Sequence, residues 1–276
     1  MSSGKRTQPS PYPSPGVPGE GIKSFNLLRL RAGLKPFRLH WFPLLRSTND
    51  HAARLRRAGR LYAPAVVLTA CQIAGRGRGA NTWWSNPGVL TVTFALAVHQ
   101  RLPAQELPLI AGMALRTASA EITGDNDILL KWPNDLVHND LKLAGLLCER
   151  VSNVDLVGIG LNVNLDPADA PPPLRNRITS LLCIAGKSLD MTDALIRIAQ
   201  QLHRNVRRRM EMPFSAFAAE YSRHDALAGE IVSVAGADEP AISGRCEGVD
   251  SAGRLLVRQR AKLHALVAGT VTILSR

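Results

Sequence analysis

Apolar and polar positions along the chain change period several times. From Ala104 to Ile122, Leu107, Ile110, Ala111, Ala114 and Leu115 recur at i, i+3, i+4 spacing, which predicts a helix with one buried face. Thr192 to Arg209 repeats the pattern through Leu195, Ile198, Leu202 and Val206, with Thr192 and Asp193 as its N-terminal signal. A shorter helix is predicted from Asn49 to Ala58. Apolar runs at Ala65–Ala70, Leu90–Leu96, Asp127–Leu130, Leu143–Leu147 and Val157–Asn164 predict strands. Val137-His138-Asn139-Asp140 reads as the turn of one strand–turn–strand unit, and Asp166 to Arg177, with three consecutive prolines, as a loop. Beyond about Leu227 the segments shorten: Glu230–Val234, Ala241–Cys246, Leu255–Val257 and Val271–Ile273 read as strands between Gly and Asp turns. The pattern predicts an α+β protein. Residues 25–225 form a layered mixed-sheet unit with helices, and 226–276 a small β-barrel. Residues 1–24, with Pro9, Pro11, Pro13, Pro15 and Pro18, read as a disordered or polyproline-like tail.

Candidate chemistry lies at the junctions. Lys131-Trp132-Pro133-Asn134-Asp135 and Lys142-Leu143-Ala144-Gly145 put two lysines, an amide and a carboxylate on one hairpin. Buried ammonium groups need anions, so carboxylates and phosphates are the natural ligands; on a surface hairpin the same lysines are merely solvated. Gln72-Ile73-Ala74-Gly75-Arg76-Gly77-Arg78-Gly79-Ala80-Asn81-Thr82-Trp83-Trp84 joins two strands. Its glycines let backbone approach a ligand, its guanidinium groups suit phosphate or carboxylate, and the tryptophans could stack on a base. Flexible RNA-binding tracts share this composition, but loops between strands of a compact domain are less often linkers. Ser47-Thr48-Asn49-Asp50 fits a helix N-cap as well as a ligand site. The glycines of Val157-Gly158-Ile159-Gly160-Leu161-Asn162 mark a close approach by ligand or backbone.

The order Ser-Thr-Asn, Gln-x-Ala-Gly-Arg-Gly-Arg, Lys-Trp-Pro-Asn-Asp with Lys-Leu-Ala-Gly, then Gly-Ile-Gly-Leu-Asn-Val-Asn resembles the biotin protein ligase family over roughly Arg46 to Asn164. The resemblance implies a biotin/lipoate-ligase-type catalytic domain and an SH3-like C-terminal barrel. It implies formation of biotinyl-5′-AMP from biotin and Mg-ATP, then transfer to a lysine of a biotin carboxyl carrier domain, as in acetyl-CoA carboxylase. It assigns biotin to Ser47, Thr48, Asn49, Gln72, Gly75, Arg76, Gly77, Arg78, Lys142, Gly145 and Gly160. ATP and the adenylate fall to Arg76, Arg78, Trp83, Lys131, Asn134, Lys142 and Asn162. Lys142, Arg78 and Asp135 are the catalytic candidates, and no side chain is assigned to Mg2+. Asp135 either assists the attacking amine or caps the turn and orients Lys142. Many bacterial members continue after Arg78 with Arg-Gly-Arg; Gly79-Ala80-Asn81-Thr82 is more similar to eukaryotic-type members and lacks one phosphate-facing charge.

Composition narrows the setting. The 276 residues carry a net charge of +12, which favours an anionic partner such as an acidic carrier domain or nucleic acid. Only about forty residues precede the Ser-Thr-Asn segment, too few for a winged helix, so no sequence-specific DNA binding is expected. Arg54, Arg57 and the run Arg207-Arg208-Arg209 read as solvated helix faces. Cys71, Cys148, Cys183 and Cys246 form no C-x-x-C pair; the first two sit in apolar strands as buried thiols, consistent with a reducing cytoplasm. No signal peptide and no membrane span are read. The resemblance also implies a possible homodimer, since related ligases without a DNA-binding domain often pair through a sheet edge. The alternatives are a lipoate or octanoate ligase of the same fold, and a non-catalytic biotin sensor or basic nucleic-acid module.

Overall fold

The computed structural model describes residues 25–236 and 240–275; the Pro-rich stretch read as a tail lies outside them. After a short helix α1 (Leu27–Gly33), strand β1 (Arg38–Leu45) leads through helix α2 (Thr48–Arg57) into β2 (Ala65–Gln72). β1 and β2 are parallel, so the connection between them must cross over, and α2 is that crossover. Two short strands, β3 (Gly75–Arg76) and β4 (Thr82–Trp83), pair in the Gly-Arg loop. β5 (Val89–Ala97) and helix α3 (Leu107–Thr123) follow. Then come β6 (Leu129–Lys131), β7 (Asp135–His138), β8 (Leu141–Val151) and β9 (Val154–Asn162). These strands other than β3 and β4 form one seven-stranded mixed sheet in the order β1-β2-β5-β9-β8-β7-β6.

The central strands are apolar on both faces because both are covered. Side chains alternate across a strand. Val66 and Leu68 of β2 and Val157, Ile159 and Leu161 of β9 pack with α3. Ala65, Val67, Val154 and Leu156 pack with Ala52 and Ala53 of α2. Gly158 and Gly160 share the parity of Leu156 and so open on the α2 face.

The hairpin expected around Val137–Asp140 is two consecutive turns. β6 and β7 are joined by Trp132–Asn134, which includes a cis Trp132–Pro133 peptide, and β7 and β8 by Asn139 and Asp140. Both of the latter have positive φ, the backbone of a tight primed turn, so Val137 and His138 remain in the strand. Opposite β7 the register slips: Leu136 faces Ala144 while Val137 faces Lys142, leaving Leu143 as an extra residue. This bulge brings the odd-spaced Lys142 and Gly145 to the same face.

The Asp166–Arg177 stretch is not irregular throughout: it holds a 3-10 turn, Pro167–Asp169, and a one-turn helix α4 (Pro172–Arg175). Helix α5 (Leu181–Ala185) precedes α6 (Met191–Glu211), which packs on α3, and α7 (Ser215–Ser222) follows. The N-cap of α6 is Asp190, not Thr192: its carboxylate accepts from the backbone N–H groups of Thr192 and Asp193. The three-arginine run on α6 is also not a solvated face. Arg207 is exposed, but Arg208 lies over the Phe217 ring and pairs with Glu220, and Arg209 is buried against Glu106 at 2.6 Å. Cys71 is buried as expected; Cys148 is only partly so.

Strands β10 (Ile231–Ala235), β11 (Ile242–Val249), β12 (Leu255–Gln259), β13 (Lys262–Leu266) and β14 (Thr270–Ser275) make a separate antiparallel sheet, ordered β13-β12-β11-β10-β14. The α+β class with a separate C-terminal β unit is as expected. β13, at the edge and largely exposed, carries none of the buried alternation that would have marked it. Val232, Val234, Cys246, Leu255, Val257 and Val271 join the core of the main body through Phe214, Phe217, Tyr221 and Leu227. The seam is fixed by Trp132 Nε1 donating to the Gly253 carbonyl at 3.1 Å and by a parallel bridge between Leu130 and Asp225. No helix among the described residues is long and apolar enough to cross a membrane.

Candidate active site

A cleft of about 1580 Å³ opens on the α2 face of the sheet. Its floor includes Gly145, Gly158 and Gly160, its rim comes from the Gly-Arg loop and the turn between β6 and β7, and its far side reaches β14. Every candidate binding or catalytic residue lines it except Gly75, which is buried in the β3–β4 pair opposite Trp83.

One end is a polar cradle. Ser47 caps α2, its hydroxyl accepting from Asp50 N–H. Thr48 donates its backbone N–H and its hydroxyl to Gln72 Oε1, at 2.7 and 3.1 Å. Thr93 Oγ1 lies 2.6 Å from Asn49 Oδ1 and 2.8 Å from Thr48 Oγ1; with one proton it can donate to only one of them. Asn49 Nδ2 donates to the Leu147 carbonyl and to Glu149. A Cβ at Gly158 would overlap the Asn49 amide, so glycine is what lets that amide lie on β9.

Two residues further along β9, about 7 Å away at strand rise, the Trp83 ring lies on Gly160, where a Cβ would again overlap it. Lys142 Nζ is 6.0 Å from the Trp83 ring centroid and 2.7 Å from Asp135 Oδ2. Among the described residues, Trp83 Nε1 and Asp135 Oδ1 are buried with no hydrogen-bond partner. Arg78 donates to Asn134 Oδ1 at 3.1 Å and, with both terminal nitrogens, to the Gly269 carbonyl at 3.2 Å. Burial holds its pKa below the ordinary arginine value, partly offset by the charge of Asp135. Arg76 points the other way, to Asp50 at 2.9 Å and Glu149 at 2.6 Å. Burial opposes its charge, yet these two carboxylates outweigh it and raise its pKa. Asn162 donates its amide to the Thr179 carbonyl at 2.8 Å, bracing the wall beside Lys142.

The arrangement joins a cradle for a small polar group, an aromatic plate and a cationic end along one glycine floor. It suits a ligand with two anionic groups brought together. Residues 41–166 match the model of the biotin/lipoate A/B protein ligase family. A biotin–acetyl-CoA-carboxylase ligase of Paracoccus denitrificans is 30% identical over 237 residues, 83% of this chain and 98% of that one.

The chain belongs to the biotin/lipoate A/B protein ligase family.

Among solved structures of the family, the Aquifex aeolicus biotin protein ligase in complex with biotin and ATP superposes with a TM-score of 0.77 at 28% identity, over 87% of this chain and 99% of that one. The bifunctional ligase/repressor BirA of Bacillus subtilis is 35% identical over 142 residues, and the match spans 43% of that longer protein. Several groups of this family member's site carried no motif: Glu149, Thr93 and the Gly253 and Gly269 carbonyls. Glu149 was within reach of the pattern, since Gly145, Leu147 and Glu149 alternate onto one face of β8. The others come from elements distant in sequence.

Proposed function

We propose that the chain is an ATP-dependent biotin protein ligase. The biotin carboxylate attacks the α-phosphorus of ATP, giving biotinyl-5′-AMP and pyrophosphate. The neutral amine of a lysine on a biotin carboxyl carrier domain then attacks the mixed anhydride, giving biotinyl-lysine and AMP. The observation that carries this reading is the single floor, Gly158-Ile159-Gly160, on which Asn49 and Trp83 lie side by side with Lys142 beyond them.

In this reading Ser47, Thr48, Asn49 and Gln72 hold the ureido ring, with Gly77, Gly145 and Gly160 keeping the backbone close. Arg78 and Lys142 oppose the repulsion between carboxylate and phosphate, the term that most resists the first step, while Arg76, held by Asp50 and Glu149, fastens the loop that carries Arg78. Trp83 carries the adenine, with Lys131, Asn134 and Asn162 around the nucleotide. Mg2+ would accompany ATP and supply positive charge to its phosphates, with no side chain here assigned to hold it. Asp135, ion-paired to Lys142, orients that ammonium in the first step and accepts the proton of the attacking amine in the second. Residues 25–225 are the catalytic unit, and 226–276 complete its nucleotide side through Gly269.

The test is pyrophosphate release by the purified protein with Mg-ATP, with biotin, with lipoate and with neither. Release with biotin alone, followed by biotin transfer to an added carrier domain, is the expected result. Release with lipoate alone moves the substrate within the family, and release with neither ends the enzymatic reading.

A further inference from the structure

We propose that Glu149 is a positioning residue: one carboxylate fixes which way the Asn49 amide faces and clamps the Gly-Arg loop through Arg76. What the cradle holds rests on the ligase reading above; the clamp on the loop does not.

Glu149 sits on β8 four residues beyond Gly145, on the same face of the strand. Both of its oxygens lie within reach of Arg76 Nη2, at 2.8 and 2.6 Å, and Oε2 also takes Asn49 Nδ2 at 2.8 Å. Arg76 Nε is 2.9 Å from Asp50 Oδ1, so the guanidinium spans β8 and α2. An ionised carboxylate only accepts, so the amide must turn its NH2 toward Glu149. The second amide proton goes to the Leu147 carbonyl at 3.1 Å, and Oδ1 takes the Thr93 hydroxyl at 2.6 Å. A flipped amide would set its oxygen against two acceptors. Glu149 thus excludes the flip, leaving Asn49 Oδ1 one lone pair for an N–H donor in the cradle. A cyclic urea presents that donor.

The Arg76–Asp50 pair alone is half-exposed and contributes little. Glu149 is the better buried of the two acids and the one that also holds Asn49, so both functions pass through it.

Glu149→Gln keeps the shape and removes the charge. In the ligand-free variant, trypsin should nick the loop after Arg76 or Arg78 about 3- to 10-fold faster than in the wild type, as expected for one lost charged network. In biotin-dependent pyrophosphate release, KM for biotin should rise about 10-fold, while kcat and KM for ATP change less than about 3-fold. A wild-type nicking rate, or an unchanged KM for biotin, overturns the proposal. If Glu149→Gln does not fold, Arg76→Gln opens the clamp from the other side and must accelerate cleavage after Arg78. Should the wild type release no pyrophosphate with biotin, the ligase reading fails, and the trypsin comparison still decides the clamp.

Discussion

Asp135 gives one carboxylate oxygen to the Lys142 ammonium, at 2.7 Å, and keeps the other buried with no hydrogen-bond partner among the described residues. The bulge at Leu143 makes the pairing possible, because it turns Lys142 back toward the face that Asp135 occupies. Gly145 completes it: a Cβ there would crowd both the Lys142 side chain and Asp135 Oδ1. The pair is partly solvated, so its contribution to folding is small and its value lies in aim.

Lys142→Ala removes the aimed charge and leaves the fold in place. Biotin-dependent pyrophosphate release should fall at least about 100-fold, the order expected for losing a preorganised charge at a developing anion. Melting should stay close to wild type. A normal release rate defeats the assignment.

Asp135→Asn separates the two half-reactions. A free lysine amine titrates near ~10.4, so transfer needs a proton acceptor that adenylate formation does not. Single-turnover transfer from preformed adenylate to the carrier should slow more than adenylate formation does. Equal losses would leave Asp135 only its role in orienting Lys142.

Arg209→Ala leaves the Glu106 carboxylate buried and unpaired, since Arg209 Nε is its partner at 2.6 Å and both side chains are at most 10% exposed. Loss of one partner of such a pair costs about 3–5 kcal/mol. Arg207→Ala, two residues earlier on the exposed face, should change stability by less than about 0.5 kcal/mol. Urea unfolding of the two variants reads the contrast, and similar values for both would refute it.

Asp225 is the acid at the seam. Burial pushes its carboxyl up from 3.8 to about 6, against a smaller opposing pull from the Leu227 N–H. The folded chain therefore holds this proton more tightly than the unfolded chain. Its contribution is fully present below pH ~4 and is lost as pH rises through about 6. Asp225→Asn keeps the acceptor for Leu227 and does not ionise. Above pH ~7 it should be the more stable protein by at most about 3 kcal/mol, at about 1.4 per unit, with the gap closing toward pH ~4. Denaturant midpoints across that range test it, and a gap independent of pH would exclude the effect.

Much of the site was legible because its motifs are local. Ser47 announces the start of α2 from its own neighbours, and the glycines of β9 mark the floor from theirs. The long helices followed from their period. What local pattern could not carry is pairing across the fold. Arg209 meets Glu106 from 103 residues away, and nothing near either says they are buried together. The extra residue at Leu143 is invisible until β7 lies beside it. Glu149 looked like any strand carboxylate until α2 brought Asn49 to it.

The links from the main body to the C-terminal sheet at Trp132 and Arg78 end on main-chain oxygens, those of Gly253 and Gly269. Such acceptors are supplied by any sequence that keeps the turn. The C-terminal strands are therefore free to drift in side chains over evolutionary time without breaking these joints. Grafting a β unit from a distant relative onto this chain should preserve them as long as the two turns keep their length and shape. A single-residue insertion into either turn should do more harm than many substitutions in the strands.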